Sequence, residues 1–496
     1  MDAAQPAPAP YWRQQIEKAL LTPIRAVRRS HLPLLMVYFA YGATGLVLVA
    51  ETFWVRKSLS FSPAELASLA VWFNLPWTVK MVFGELVDTV PLLGSQRRTY
   101  VFAGAALLAA SLVLEAGSAG GWITAVTPDQ AYVVAGLLGA TGLVLQDVVA
   151  DAMSSEVVPR TDADGTPRPK AEIDRELGMV QVLGRLALLF GVFAVAGVSG
   201  VLANYLSYDK VFLLGLIVPV VSVTGAILVR LETTERRAID WRILGGGLAF
   251  GAAVMGLALG GVPYAQEIIF VFSMAVVVWM LDRVTRSIDH TTRVQIAFAA
   301  VIIFAFRATP LVGDGYTWFE IDALGFNEAF FGLLQQIAAG VGIVTLWMLS
   351  DTITRRPVAQ VLLWITLLGT ALALPRLLLV FEWYKVVGEL FGVGPRTIAL
   401  LETVGVSPFL QLSMVPLLTL IAIYAPAGHR AIWFSLMASL MNLALQAGAL
   451  QTKYLNLLFP IARGAYGNLP ALVVTVMTLG LVLPLAAIAV FGRRMR

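Results

Sequence analysis

Long apolar runs, broken by short polar turns, recur from one end of the chain to the other. Six lie near 31–53, 64–87, 99–117, 131–153, 177–199 and 210–230. Two more lie near 244–262 and 266–283, and another six near 294–312, 328–350, 357–380, 403–424, 431–450 and 469–491. A helix crosses the hydrocarbon core with about 20 apolar residues at roughly 1.5 Å each, so each run is long enough to span. The pattern predicts an all-α integral membrane protein of about fourteen spans. It divides the chain into a head (1–30), a six-helix bundle (31–230), a basic linker with two extra helices (231–293) and a second six-helix bundle (294–496). Residues 11–29 are expected to form an amphipathic helix on the cytoplasmic surface, or else a partly ordered basic tail.

Composition strengthens this picture. Hydrophobic residues make up 58% of the chain and charged residues 13%, where a soluble domain carries about 25% charged. The head has no apolar core before Ser30, so no cleavable signal peptide is expected. There is no cysteine, which excludes disulfides, thiolate metal sites and thiol chemistry. His31, His290 and His429 are scattered near span ends and form no metal motif. No GxxxxGK[ST] stretch and no nucleophile–base pair stand out, so neither ATP-driven transport nor an enzyme is expected, and no cofactor.

The net charge of +4 is informative through its distribution and does not point to nucleic acid. With the N-terminus inside, 24 of the 35 Lys and Arg fall in cytoplasmic segments and 7 in outer ones. The positive-inside rule therefore places both termini in the cytoplasm, with a bacterial inner membrane as the expected home. The chain also repeats weakly. Asp88 followed by Arg97-Arg98 matches Asp351 followed by Arg355-Arg356, each in a short cytoplasmic turn. Internal repeats around a midplane site are a transporter's architecture, though such turns also serve as topology signals.

Charges inside apolar runs are costly and usually face a bundle interior or a water-filled cavity. Lys80 lies in the second run, Asp147 and Asp151 lie one turn apart in the fourth, and Arg185 lies in the fifth with Gln181 a turn below it. Lys80, Asp147 and Arg185 fall at nearly one depth, and Gly178, Gly184 and Gly191 would let the fifth helix pack closely. Snorkelling of Lys80 to the nearer surface runs against the lean of helical side chains toward the helix N-terminus. Two readings of the group stand. It is a buried network that fixes helix positions, or a site in which a basic residue holds an anionic substrate and Asp147 takes up a proton. The second half offers a weaker set: Arg307 before Pro310, and Asn442 and Gln446 on one helix face. Arg376 is read as snorkelling, and Asp314, Glu320 and Asp322 as solvated in an outer loop.

The stretch LPWTVKMVFGELVDTVPLLGSQRRTY, with Pro76, Trp77, Lys80, Gly84, Asp88, Pro91, Gly94, Arg97, Arg98 and Tyr100, resembles the signature of the folate-biopterin transporter family, a branch of the major facilitator superfamily. QDVVADAMSSE at 146–156, LGFNEAFFG at 324–332 and the stretch at 411–443 are similar to later segments of that family. Met81 stands where the family often has proline, and the pair of runs at 244–283 is outside the usual twelve. The resemblance implies two six-helix bundles that alternate access to a central site. It implies a cytoplasmic gate of Asp88, Arg97 and Arg98 with Asp151 or Glu156, for which Asp351, Arg355 and Arg356 hold the matching places. It also implies a folate or pterin substrate, whose carboxylates suit Lys80 and Arg185 and whose ring suits an aromatic such as Trp77. The expectation is a monomeric, proton-coupled secondary transporter in the lipid bilayer. The rival is a transporter-like scaffold or assembly factor that binds a pigment, lipid or protein partner without net transport.

Overall fold

The computed structural model describes residues 25, 27–95, 97–162, 164–228, 239, 241–286, 289–354, 356, 358–413, 417 and 430–492. Apart from two short 3-10 turns, the regular structure among them is α-helical, and extended pairing is limited to isolated bridges in turns such as Leu92–Ser95. In lipid a helix satisfies its own backbone hydrogen bonds within one segment, which is why apolar runs of this length fold this way.

The first half of the chain holds α1 (Leu32–Ala43), α2 (Leu48–Ser58), α3 (Pro63–Phe73), α4 (Leu75–Thr78), α5 (Lys80–Thr89), α6 (Arg98–Ala119), α7 (Pro128–Glu156), α8 (Lys170–Tyr205), α9 (Tyr208–Gly215) and α10 (Ile217–Leu228). The extra pair is α11 (Trp241–Leu259) and α12 (Ala265–Thr285). The second half holds α13 (His290–Arg307), α14 (Asp314–Asp322), α15 (Glu328–Thr354), α16 (Val358–Leu372), α17 (Pro375–Val380), α18 (Tyr384–Phe391), α19 (Pro395–Leu412), α20 (Arg430–Leu458) and α21 (Leu469–Phe491). Local signals start several of them. Ser62 with Glu65 and Thr127 with Gln130 form capping boxes, each with proline at the first helical position.

Eleven helical segments among the described residues are long and apolar enough to cross a membrane, against the fourteen runs expected. The run at 403–424 lies partly outside the described residues. The run at 294–312 becomes α13, whose polar first turn and closing Arg307 dilute its apolar character. The chain breaks after Arg307 and resumes as α14, entered through Gly313 at φ +85°, a conformation glycine adopts without strain. The expected outer loop is therefore largely helix. Both extra helices qualify as spans, at Trp241–Ala258 and Ala265–Arg283. The amphipathic head lies outside the described residues apart from a few at its end.

Helix α1 packs on α8 with backbones in contact. A Cβ at Gly42 would come within 2.0 Å of the Leu188 carbonyl oxygen, and one at Gly191 within 2.3 Å of that of Phe39. Helix α8 also crosses to α15 of the second half, where Gly200 and Gly332 meet and a Cβ on either would lie 2.6 Å from the other's Cα. This crossing belongs to a seal at the far end of the bundle, away from the described chain ends. Arg56 and Tyr466 both bond Asp322. Arg463 donates to the carbonyls of Val55 (3.3 Å) and Leu59, and Asn327 donates to Asn204 (3.1 Å). Trp318, 2% exposed, lies under the guanidinium groups of both Arg56 and Arg463, at 5.7 and 5.0 Å from its ring centroid. At the near end no ion pair among the described residues joins the two halves.

The extra helices lie against both halves. Helix α11 packs on α5, and α12 packs on α3 and α20. Gln266 of α12 donates to the Ser68 carbonyl (2.9 Å) and hydroxyl (2.5 Å). Lys453 of α20 reaches back to Gln266 (3.1 Å) and Glu267 (2.7 Å), and Tyr454 donates to Glu267 (2.7 Å).

Candidate functional site

The second span is broken twice, between α3 and α4 at Asn74 and between α4 and α5 at Val79. Pro76 explains part of this: it has no N–H for the carbonyl a turn earlier, and its ring crowds the helix. The break leaves the Trp77 carbonyl to be satisfied from outside, and Asn442 of α20 donates to it (3.0 Å). Gln446, one turn on and 1% exposed, donates to the Thr78 hydroxyl (2.9 Å). Asn442 and Gln446 thus hold the broken span. Gln446, expected to line the substrate path, is buried here, because an unpaired polar group of the break demands a partner more than an open cavity does.

Just after the break, Lys80 opens α5. Its Nζ bonds Asp147 Oδ2 (2.5 Å) and Asp151 Oδ2 (2.6 Å) at once, the two acids lying one turn apart on α7. The side chains of Lys80, Asp147 and Asp151 are 26, 12 and 52% exposed, so the group opens on the Asp151 side. The Tyr38 hydroxyl donates to Asp151 Oδ1 (3.0 Å), and its ring lies where a Cβ on Gly184 of α8 would sit, 2.7 Å from the nearest ring carbon. Tyr38 therefore ties α1, α7 and α8 at one level. The sequence reading missed it, because a tyrosine in an apolar run carries no charge to mark it.

Arg185 is exposed on α8, with no hydrogen bond or ion pair among the described residues. The Tyr41 ring lies within electrostatic reach of Lys80, Asp147 and Arg185, and stacks on Trp77 with centroids 5.8 Å apart. Gln181 lies one turn before Arg185 on the same helix. The structure thus brings Lys80 and Asp147 together, adds Asp151, and leaves Arg185 exposed on α8, linked to the group only through its reach to Tyr41. Arg307 is half-buried at the end of α13, where the chain breaks before Pro310.

Among the described residues, Arg97 of the 88–98 turn pairs with acids of the first half. Arg97, 5% exposed, donates to Glu156 Oε1 (2.5 Å) and Oε2 (3.1 Å), to Asp88 Oδ1 (2.8 Å) and to the Val87 carbonyl (3.1 Å). Glu156 is thus the acid of the fourth span that meets this turn, and Asp151 is taken by Lys80. Arg98 lies over the Phe102 ring at 5.4 Å. In the matching turn, Asp351 falls in the last turn of α15, Arg356 is exposed and Arg355 lies outside the described residues.

The readings of Arg376, Asp314 and Glu320 are corrected. Arg376 does not snorkel to water. It pairs with Glu402 (2.5 Å), lies 4.9 Å over the Tyr316 ring and has Glu320 within electrostatic reach. Asp322 is tied to Arg56 and Tyr466, and Asp314 is within reach of Glu51. Folding of the 314–322 segment into helix α14 turns Asp314 and Glu320 into the bundle and leaves Asp322 exposed at the end of that helix.

A helical bundle of this kind, sealed at one end around a charged group inside its spans, defines a membrane transporter of the major facilitator fold. Solved transporters share that fold. A POT family transporter in complex with 5-aminolevulinic acid superposes with a TM-score of 0.66 at 13% identity, over 94% of this chain and 96% of that one. The xylose transporter XylE from E. coli, in an inward open conformation, superposes with a TM-score of 0.55 at 12% identity, over 92% of this chain and 94% of that one. The profile of the BT1 family matches residues 42–495, and the chain belongs to the BT1 family. It is 26% identical to a folate-biopterin transporter of Synechocystis over 458 residues, 92% of this chain and 80% of that one. It is 18% identical to folate transporter 1 of Plasmodium falciparum over 450 residues, 88% of this chain and 75% of that one. The relatives are transporters, and the chain is a transporter, not an enzyme.

Proposed function

We propose that the chain carries an anionic molecule of folate or pterin type by alternating access, coupled to protons. The observation that carries this reading is the pairing at the centre: Lys80 is held by two carboxylates, while Arg185, within reach of the same Tyr41, has no acidic partner among the described residues. A substrate carboxylate docks on Arg185. Protonation of Asp147 loosens its hold on Lys80, whose ammonium then turns to the substrate, so anion and proton bind together. The names of the relatives support the substrate class. The charge distribution supports a bacterial inner-membrane protein with both ends cytoplasmic. In that orientation the sealed far end is the outer one, and the near end opens to the cytoplasm. The halves at 31–230 and 294–496 rock about the α8–α15 crossing, with 231–293 between them. The Asp88–Arg97–Glu156 group, with Arg98 and the Asp351–Arg356 turn, forms the cytoplasmic gate when that end closes. The transporter acts as a monomer.

The test is folate uptake into proteoliposomes, with and without an inward proton gradient. The gradient should stimulate uptake several-fold. Asp147→Asn should abolish the stimulation while keeping folate exchange, and Arg185→Ala should raise KM about tenfold, the scale of one lost charge-assisted contact. Failure of every folate and pterin to enter or exchange would remove the substrate class. Equal uptake with and without the gradient would remove the proton.

A further inference from the structure

The first half of the chain holds a separate, largely apolar cavity of about 380 Å³, with two carboxyls in its wall, that the charged group above does not use. Small-molecule sites typically enclose roughly 300–1,000 Å³. Its walls include Glu51 of α2 and Glu115 of α6, with Phe73, Asn74 and Trp77 at the break of the second span. Glu115 is only 5% exposed, and its carboxyl faces this space. Among the described residues neither carboxyl has a hydrogen bond or an ion pair, and the charged neighbours in electrostatic reach are acids, Glu51 for Glu115 and Asp314 for Glu51. A buried carboxyl without a donor costs several kcal/mol. A ligand filling the cavity can bring donors to both carboxyls. The ligand this wall fits is flat, to lie against Phe73 and Trp77, and offers two adjacent N–H donors along one edge.

We propose that this cavity takes the ring of a pterin, with the Glu115 carboxyl, and Glu51 beside it, accepting hydrogen bonds from the ring N3–H and 2-amino group. The inference rests on the folate or pterin reading above and assigns the orientation of the molecule within it. A carboxylate meeting two parallel N–H donors makes the same fork as a carboxylate–guanidinium pair, with both affinity and geometric selectivity. Trp77 connects the two sites. One side of it lines the cavity, and its ring stacks on Tyr41, which lies within reach of Lys80, Asp147 and Arg185. A folate seated by its ring at Glu115 thus extends its glutamate carboxylates past Trp77 toward Arg185.

Four ligands separate the ends of the molecule in equilibrium binding to the purified protein in nanodiscs: folate, pterin, lumazine (oxo in place of the 2-amino group) and p-aminobenzoylglutamate, which lacks the ring. Wild type should bind pterin at least about tenfold tighter than lumazine, because a site built for a donor rejects its absence. Glu115→Gln and Glu51→Gln, nearly isosteric, should weaken folate and pterin at least about tenfold and leave p-aminobenzoylglutamate unchanged. Arg185→Ala should weaken folate and p-aminobenzoylglutamate about tenfold and leave pterin unchanged. Equal binding of pterin and lumazine by wild type, a comparison that needs no variant, overturns the proposal while leaving the substrate class intact. So does unchanged pterin binding in Glu115→Gln. A wild type that binds none of the four overturns the substrate class and this assignment together.

Discussion

Arg97 is almost fully buried and spends its guanidinium on two acids and a backbone carbonyl. A lysine cannot reproduce that fork, and a neutral side chain leaves Asp88 and Glu156 facing each other. Breaking a buried pair costs about 3–5 kcal/mol, and the partial exposure of both acids argues for the lower end. Arg97→Gln should therefore lower the melting temperature of the purified protein clearly, while Asp88→Asn, which leaves Glu156 in place, should lower it less. Equal losses would mean that Asp88 carries as much of the network as Arg97. The contrast with Arg185 is one of surroundings: the residue types are the same, but Arg97 has its acids beside it and Arg185 is exposed on α8.

The broken second span shows what an element can and cannot do alone. Pro76 explains part of the break, and the Trp77 carbonyl left by the second break at Val79 takes its donor from Asn442 of α20. An orphaned buried carbonyl costs about 1–3 kcal/mol, so Asn442→Leu should destabilise by that amount in denaturant titration, and Asn442→Asp, which cannot donate when ionised, by no less. No change with Asn442→Leu would mean that water takes the amide's place. At the α8–α15 crossing, the close approach of Gly200 and Gly332 leaves no room for a side chain. Gly332→Val should pry the far end apart and shift the protein toward the opposite opening. The chain has no cysteine of its own, so a single cysteine introduced at Asn204 reports this directly. Its labelling by a water-soluble maleimide should speed up several-fold in the Gly332→Val background, and an unchanged rate would show that the crossing bends instead of opening.

For the whole molecule, the extra helices act as a strap. Helix α12 is tied to α3 through Gln266 and to α20 through Glu267, so it bridges the two halves near the sealed end. Much of the organisation was legible beforehand. Bilayer physics makes each span a local property of its own run, so the apolar pattern located the helices, and the extra pair showed itself as two additional runs. Charges within runs pointed to Lys80, Asp147 and Arg185, and the motif around Pro76 and Arg97 pointed to the family. Glu51 and Glu115 escaped notice because the runs were drawn to end at 53 and 117, whereas the helices continue to Ser58 and Ala119. Each glutamate therefore lies deeper than it was placed. The sequence by itself determined the solvent, the helices and the inventory of costly intramembrane charges, because those follow from composition and spacing within one segment. Only the tertiary structure decided the pairings: Asp151 with Lys80 and Glu156 with Arg97, Arg376 with Glu402, and Glu51 near Glu115. Those depend on how helices distant in the chain rotate and pack, and on which polar group each break leaves unsatisfied.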